Sequence, residues 1–309
     1  MRIYIAGISG MVGSSIAFEA NLQGNEVLGK SSSELDLTDR TAVLVELQNT
    51  EPEFLIIAAA KVGGIGANSS FPVDFLSKNL QIQTNLMDAA HVAGVRRVLF
   101  LGSSCVYPKF ATQPMAEAAL LTGELESTNE PYAIAKIAGL KLIDAYRKQF
   151  GHHWISAMPT NLYGPRDNFS LEKAHVLPAL IHRFHEAKIS GLNQVQIWGD
   201  GTPLREFLHV EDLARASLML LHEYDESVAI NIGSGREISI GDLARLISKI
   251  VGFTGEISFN SERPNGTPRK LLDSTRIKKL GWKPQVDLEV GIASTYDWFL
   301  ANHISEATA

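Results

Sequence analysis

The chain has 309 residues, 45% of them apolar and 20% charged, with a formal charge of −6 and no basic stripe. That composition suits a globular chain with a large core and excludes a protein that grips a nucleic-acid backbone, which needs clustered Lys and Arg. A single cysteine among 309 residues excludes an intrachain disulfide or a cysteine-based zinc framework and fits a reducing compartment.

The chain opens on "MRIYIAGISG", a strand-like run without the segments of a secretory leader, and the longest apolar runs, such as "FLIIAAA", are too short to span a bilayer. The expectation is a cytoplasmic protein with no membrane partner. "IYIAG", "EVLGK", "FLIIAAA", "RVLFLG", "WISAMPTNL" and "VAINIG" read as strands. They are continuously apolar, as parallel strands buried on both faces are. Helical patterns separate them. In the clearest, residues 73–93, Phe75, Leu76, Asn79, Leu80, Gln83, Leu86, Met87 and Ala90 form a mainly apolar stripe that stops at Gly94. Strand and helix in repetition predict an α/β protein, a Rossmann-type doubly wound parallel sheet. The regular order weakens after Gly164, where "GPRDNFSLEK" is turn-rich. Helices are expected near 176–188, after Glu211 and after Ile240. The expected division is a nucleotide-binding domain, 1–164 plus about 207–233, and a smaller, discontinuous α/β substrate domain, about 165–206 plus 234–309.

After the first strand come Gly7, Gly10 and Gly13, with Ile8, Ser9, Met11 and Val12 between them, and then a helix. Glycines let the backbone turn sharply and approach a pyrophosphate, while the helix start offers free N–H groups. The spacing is G-x-x-G-x-x-G, which also suits a tight turn with no ligand. Its place at the head of the alternating units favours a dinucleotide. The second strand ends at "LGKSSS", where an NAD site has an acidic residue for the ribose 2′-hydroxyl. Lys30 and hydroxyls stand there instead and point to a 2′-phosphate, hence NADP. Asp36 and Leu37 are expected at the adenine, and Asp39 suits a helix N-cap.

"EPYAIAKIAGLKL" sets Tyr132 and Lys136 four apart, on one face of a helix. An ammonium nearby would favour the phenolate and lower the tyrosine pKa, fitting it to protonate an alkoxide as hydride arrives. Ser103 closes the fourth strand at the carboxyl edge, where open α/β sheets place ligands. A lone Y-x-x-x-K is commonplace. With the glycine loop upstream and a serine ending the preceding strand it becomes specific, and the chain resembles the extended short-chain dehydrogenase/reductase family over essentially its whole length. "NLYGP" and "WGDGTPLREFLHVEDLA" are landmarks of its nucleotide-sugar members. The resemblance implies a homodimer paired through the helix of Tyr132 and its neighbour.

The blocks "AAAKVGGI", "LGSSCVYPK", "TNEPYAIAKIAG", "MPTNLYGPRDNF", "HVLPALIHRFHEA" and "GTPRKLLD" resemble the GDP-L-fucose synthase family. That family epimerises C3 and C5 of GDP-4-dehydro-6-deoxy-D-mannose and reduces the C4 ketone with NADPH. The resemblance implies that Cys105 is the base and His175 the acid of epimerisation. Ser103 and Tyr132 would hold the enolate oxygen. It places Leu101, Gly102, Ser103, Ser104, Tyr132, Lys136, Pro159, Thr160, Asn161, Leu162 and His175 at NADP, and Arg183, Trp198, Arg205, Asn265 and Lys270 at the GDP-sugar. Family members often carry Arg where Ser9 stands and again after the second strand, where Ser31 to Ser33 stand. Asn265 replaces an Asp that often contacts the guanosine. His182 and His185 share a helical spacing without a third ligand, so no metal site is expected. The rival readings are an epimerase or dehydratase that retains NAD, and a nucleotide-binding sensor.

Overall fold

The computed structural model describes residues 1–171, 174–262 and 265–303. In chain order the elements are β1 (Arg2–Ala6), α1 (Met11–Leu22), β2 (Glu26–Leu28), α2 (Arg40–Thr50), β3 (Phe54–Ile57), α3 (Ile65–Ser70), α4 (Asn79–Val92), β4 (Arg97–Leu101), α5 (Glu130–Phe150), β5 (Ile155–Pro159) and β6 (Asn161–Tyr163). There follow α6 (Val176–Ile189), β7 (Gln194–Trp198), β8 (Leu204–His209), α7 (Val210–Glu223), β9 (Ile230–Ile232), β10 (Glu237–Ser239), α8 (Ile240–Val251), β11 (Glu256–Asn260), β12 (Arg269–Lys270), α9 (Thr275–Lys279) and α10 (Leu288–His303).

Six strands form one parallel sheet in the order β2-β1-β3-β4-β5-β9. The unbroken apolar runs serve two cores at once, because successive side chains leave a strand on opposite faces. Tyr4, Ala6, Leu55, Ile57, Val98 and Phe100 pack toward α2, α4 and α5. Ile3, Ile5, Phe54, Ile56, Leu99 and Leu101 pack toward α1 and α7. The chain runs outward from β1 to β2, then crosses back past β1 to β3. The carboxyl ends of β1 and β3 therefore flank the crevice where open α/β sheets bind ligands.

A third core lies in the second half of the chain, where Phe184, Phe207, Leu243, Ile247 and Phe299 bring together α6, β8, α8 and α10. There β7 pairs with β11, and β8 is flanked by β10 and β12 and also pairs with β6. The helix expected over 73–93 begins as a π turn at Asp74–Lys78 before α4. The buried Asn79 amide donates to the Phe75 carbonyl at 2.7 Å, the bond an α-helical backbone would make there, and also clamps Lys61. No helix among the described residues is long and apolar enough to cross a membrane.

Candidate active site

The glycine loop joins β1 to α1 at the crevice. Gly7 has φ +89°, and a Cβ there would sit 2.8 Å from Ala59 N at the end of β3. A Cβ on Gly13 would come within 2.1 Å of Gly7 O, so the loop closes only with glycine at both places. Gly10 caps α1 without a side-chain hydrogen bond, leaving the first-turn N–H groups to an anion. This cradle fits a dinucleotide pyrophosphate. Ile8, Val12 and Leu162 pack on the sheet core beneath it.

The far end differs from expectation. Lys30 is not an open cation, because its Nζ lies 2.6 Å from Glu46 Oε2, and Glu46 is 8% exposed on α2. Glu34 Oε2 accepts from Ser31 N–H at 2.8 Å and from Ser31 Oγ at 2.5 Å. Asp36 accepts from Thr38 N–H and Oγ1, and Leu37 packs against the sheet core. Asp39 caps α2 through Thr41 and Ala42 N–H, as the sequence predicts.

Ser103 leaves β4 extended and its Oγ accepts from Cys105 N–H at 3.2 Å, starting the 3-10 turn Ser104–Val106. Gly102 N–H donates to Ala157 O and stitches the ends of β4 and β5 together. Lys136, 3% exposed, donates to Leu101 O at 2.7 Å and lies 5.9 Å from the Tyr132 ring centre. The electrostatics reverse one expectation. Burial pushes the Tyr132 phenol above its ordinary value, with the Cys105 charge acting the same way and a hydrogen bond from Ser103 opposing it. Burial pushes Lys136 down to about 7. A buried lysine held by a carbonyl supplies less positive charge than an exposed one, so the spacing of four does not by itself acidify the phenol.

Cys105 is the meeting point. Asn129 Nδ2 donates to its sulfur at 3.4 Å and Lys270 Nζ at 3.5 Å. The Arg205 guanidinium lies within electrostatic reach of the same sulfur. Lys270 and Arg205 are partners in register on β12 and β8. His175 stands at the N-cap of α6 without using its side chain as a cap. The protein crowded around it, and then Lys270, lower its pKa. Ser103, Cys105, Tyr132 and Lys270 are therefore joined through hydrogen bonds and charge, and the Lys270 charge is felt at His175. Asn129 has no counterpart in the sequence reading. Its place immediately before the "EPY" of α5 was the available signal.

On the substrate side, Arg183 on α6 donates to Gln196 O on β7, two residues before the largely exposed Trp198. The Asn265 side-chain oxygen accepts Asp200 N–H at 2.8 Å and fixes the turn after Trp198, leaving one lone pair of that oxygen. Glu206 is a second residue the sequence reading missed. It is fully buried and accepts from Gly235 N–H at 2.6 Å and Leu272 N–H at 3.0 Å, tying the segment that carries Lys270 to β8. The neighbouring Thr160 and Asn161 side chains donate to Glu206 O, and Thr160 N–H bonds Ile232 O just beyond Pro159.

A doubly wound sheet with a glycine cradle, and Ser103, Tyr132 and Lys136 at its carboxyl edge, defines a short-chain dehydrogenase/reductase of the extended type. Residues 3–233 match the model of the NAD dependent epimerase/dehydratase family. The chain is 54% identical over 303 residues to GDP-L-fucose synthase 1 of Arabidopsis thaliana, covering 97% of this chain and 94% of that one. It is 50% identical over 311 residues to GDP-L-fucose synthase of Escherichia coli (strain K12), covering 97% of each. A crystal structure of a GDP-L-fucose synthetase from Naegleria fowleri bound to NADP matches with a TM-score of 0.90 at 29% identity, over 98% of this chain and 95% of that one. The chain belongs to the NAD dependent epimerase/dehydratase family, in its GDP-L-fucose synthase branch.

Proposed function

We propose that the chain converts GDP-4-dehydro-6-deoxy-D-mannose to GDP-L-fucose, epimerising C3 and C5 and reducing C4 in one site. The observation that carries this reading is the setting of Cys105, whose N–H donates to Ser103 Oγ and whose sulfur accepts from Asn129 Nδ2 and Lys270 Nζ. Protons on C3 and C5 are acidic because each lies alpha to the C4 ketone. Cys105 Sγ removes such a proton from one face, and His175 returns one from the other. Ser103 and Tyr132 hydroxyls hold the enolate oxygen between the two steps. NADPH, when bound at the glycine loop, supplies the hydride to C4. Tyr132 gives its proton to the C4 oxygen, and Lys136 holds the helix face beneath it through Leu101 O.

The glycine loop, with Leu101 to Ser104 and Pro159 to Leu162 at the strand ends, is read as the NADP site. Arg183, Arg205 and Lys270 are read as cations for the diphosphate and sugar, and Trp198 as the surface for the purine. Residues 165–206 plus 234–309 are read as the substrate domain. We read the chain as a cytoplasmic homodimer joined through α4 and α5, where Val92 and Ile134 leave apolar surface.

The test is an assay of the purified chain with GDP-4-dehydro-6-deoxy-D-mannose and NADPH, with the sugar product identified by NMR. Oxidation of one NADPH per GDP-L-fucose formed is the expected result. GDP-rhamnose would reduce the protein to a simple ketoreductase, and a product formed without net oxidation would favour an epimerase that retains NAD.

A further inference from the structure

The loop after β2 brings one cation against two carboxylates. Lys30 Nζ is held at 2.6 Å by Glu46, and Glu34 occupies the Ser31 amide and hydroxyl. Ser31 Oγ also lies 2.9 Å from Ser33 Oγ, so the serine run is closed on itself and on Glu34. In a dinucleotide fold this loop faces the adenosine ribose. A 2′-phosphate there carries nearly two negative charges and needs a cation together with N–H and O–H donors. Here the cation is neutralised, the donors are engaged by a carboxylate, and the glycine loop offers uncharged Ser9. A ribose 2′-hydroxyl has the opposite requirement, since a carboxylate can accept its hydrogen bond.

Resting on the nucleotide site proposed above, we propose that this chain does not discriminate for the 2′-phosphate and binds NADH with an affinity within about threefold of NADPH. The Lys30–Glu46 pair is the determinant, because it withholds the loop's cation, and Glu34 adds like-charge repulsion. NADH therefore serves as a second reductant for the same ketone, delivering its hydride to C4 and leaving as NAD⁺, with the proton on the C4 oxygen again from Tyr132.

The experiment is isothermal titration of the full chain with NADPH and with NADH, repeated on Glu46→Gln and on Ser9→Arg. For the unmodified chain the two dissociation constants are expected to agree within about threefold, and Glu46→Gln is expected to tighten NADPH about tenfold while leaving NADH unchanged. Ser9→Arg lies outside the α2 packing, adds a cation from the other side, and shifts the ratio the same way. An unmodified chain that binds NADPH more than about tenfold tighter than NADH overturns the inference and leaves the nucleotide site intact. A folded Ser9→Arg chain with unchanged NADPH affinity also overturns it. Failure of both nucleotides to bind overturns the nucleotide site and this inference with it.

Discussion

The Lys270 ammonium lies 3.5 Å from the Cys105 sulfur, across 165 residues of sequence. β12 delivers it beside β8, and Glu206 fixes the adjoining Leu272 amide. A fixed positive charge at this distance stabilises the negative charge that a sulfur base carries. Lys270→Met is expected to slow proton exchange at C3 by about ten- to a hundredfold, and Cys105→Ser by about a hundredfold or more. NADPH binding should be unchanged in both. The measurement is solvent-deuterium uptake at C3 of the substrate without reductant, and normal uptake in Cys105→Ser would remove the thiol from the chemistry.

Asn129 reaches the same sulfur at 3.4 Å, and its buried Oδ1 has no hydrogen-bond partner among the described residues. It stands at the N-cap of α5 but makes no capping bond with its side chain. Asn129→Ala should therefore cost less than about 1 kcal/mol in stability, since no cap is lost. Deuterium exchange at C3 should fall about tenfold. Equal losses in melting temperature and exchange would make the residue merely structural.

Tyr132→Phe removes the proton destined for the C4 oxygen and keeps the ring that packs edge-on to Phe75. Reduction is expected to fall by about 10²- to 10⁴-fold. Exchange at C3 should continue at a reduced rate, because Ser103 still donates to the enolate oxygen and Cys105 and His175 remain. Complete loss of exchange together with reduction would mean that Ser103 alone cannot hold the enolate.

His91 Nδ1 and His152 Nε2 share a hydrogen bond at 2.8 Å among Tyr146, Phe150 and Trp154. One nitrogen must accept, so the pair cannot be doubly protonated and keep it. Burial, then His91, then His153 lower the His152 pKa from 6.5. The unfolded chain therefore takes the proton first as pH falls. Stability that is complete above about pH 6.5 is lost as pH drops toward the lower folded value. Melting temperatures at pH 7.5 and 5.5 should differ less in His152→Gln than in the unmodified chain.

Local chemistry was legible in the sequence, and long-range partners were not. Gly7 and Gly13 announce a close approach because no other residue fits it, and Tyr132 and Lys136 share a helix face by spacing alone. Apolar runs serving both faces gave away the parallel sheet. Lys30 read as a free cation because its partner comes from α2, 16 positions later, and only packing chooses it. Asn265 also fixes the turn after Trp198 through Asp200, 65 residues away, which no local pattern reports. The Tyr132 phenol is shifted up rather than down because a spacing of four residues carries the partner's charge but not the burial of both groups. Asn129 and Glu206 act through single hydrogen bonds to distant segments, which no local pattern reports.

One site moves protons at two carbons of the sugar and then delivers hydride to a third. Running the reaction in D₂O with unlabelled NADPH and locating the isotopes in the product by NMR separates these steps. GDP-L-fucose with deuterium at C3 and C5 and hydrogen at C4 is the expected product. A product carrying hydrogen at C3 and C5 with unchanged configuration would contradict that chemistry, returning Cys105 and His175 to packing and leaving only a ketoreductase.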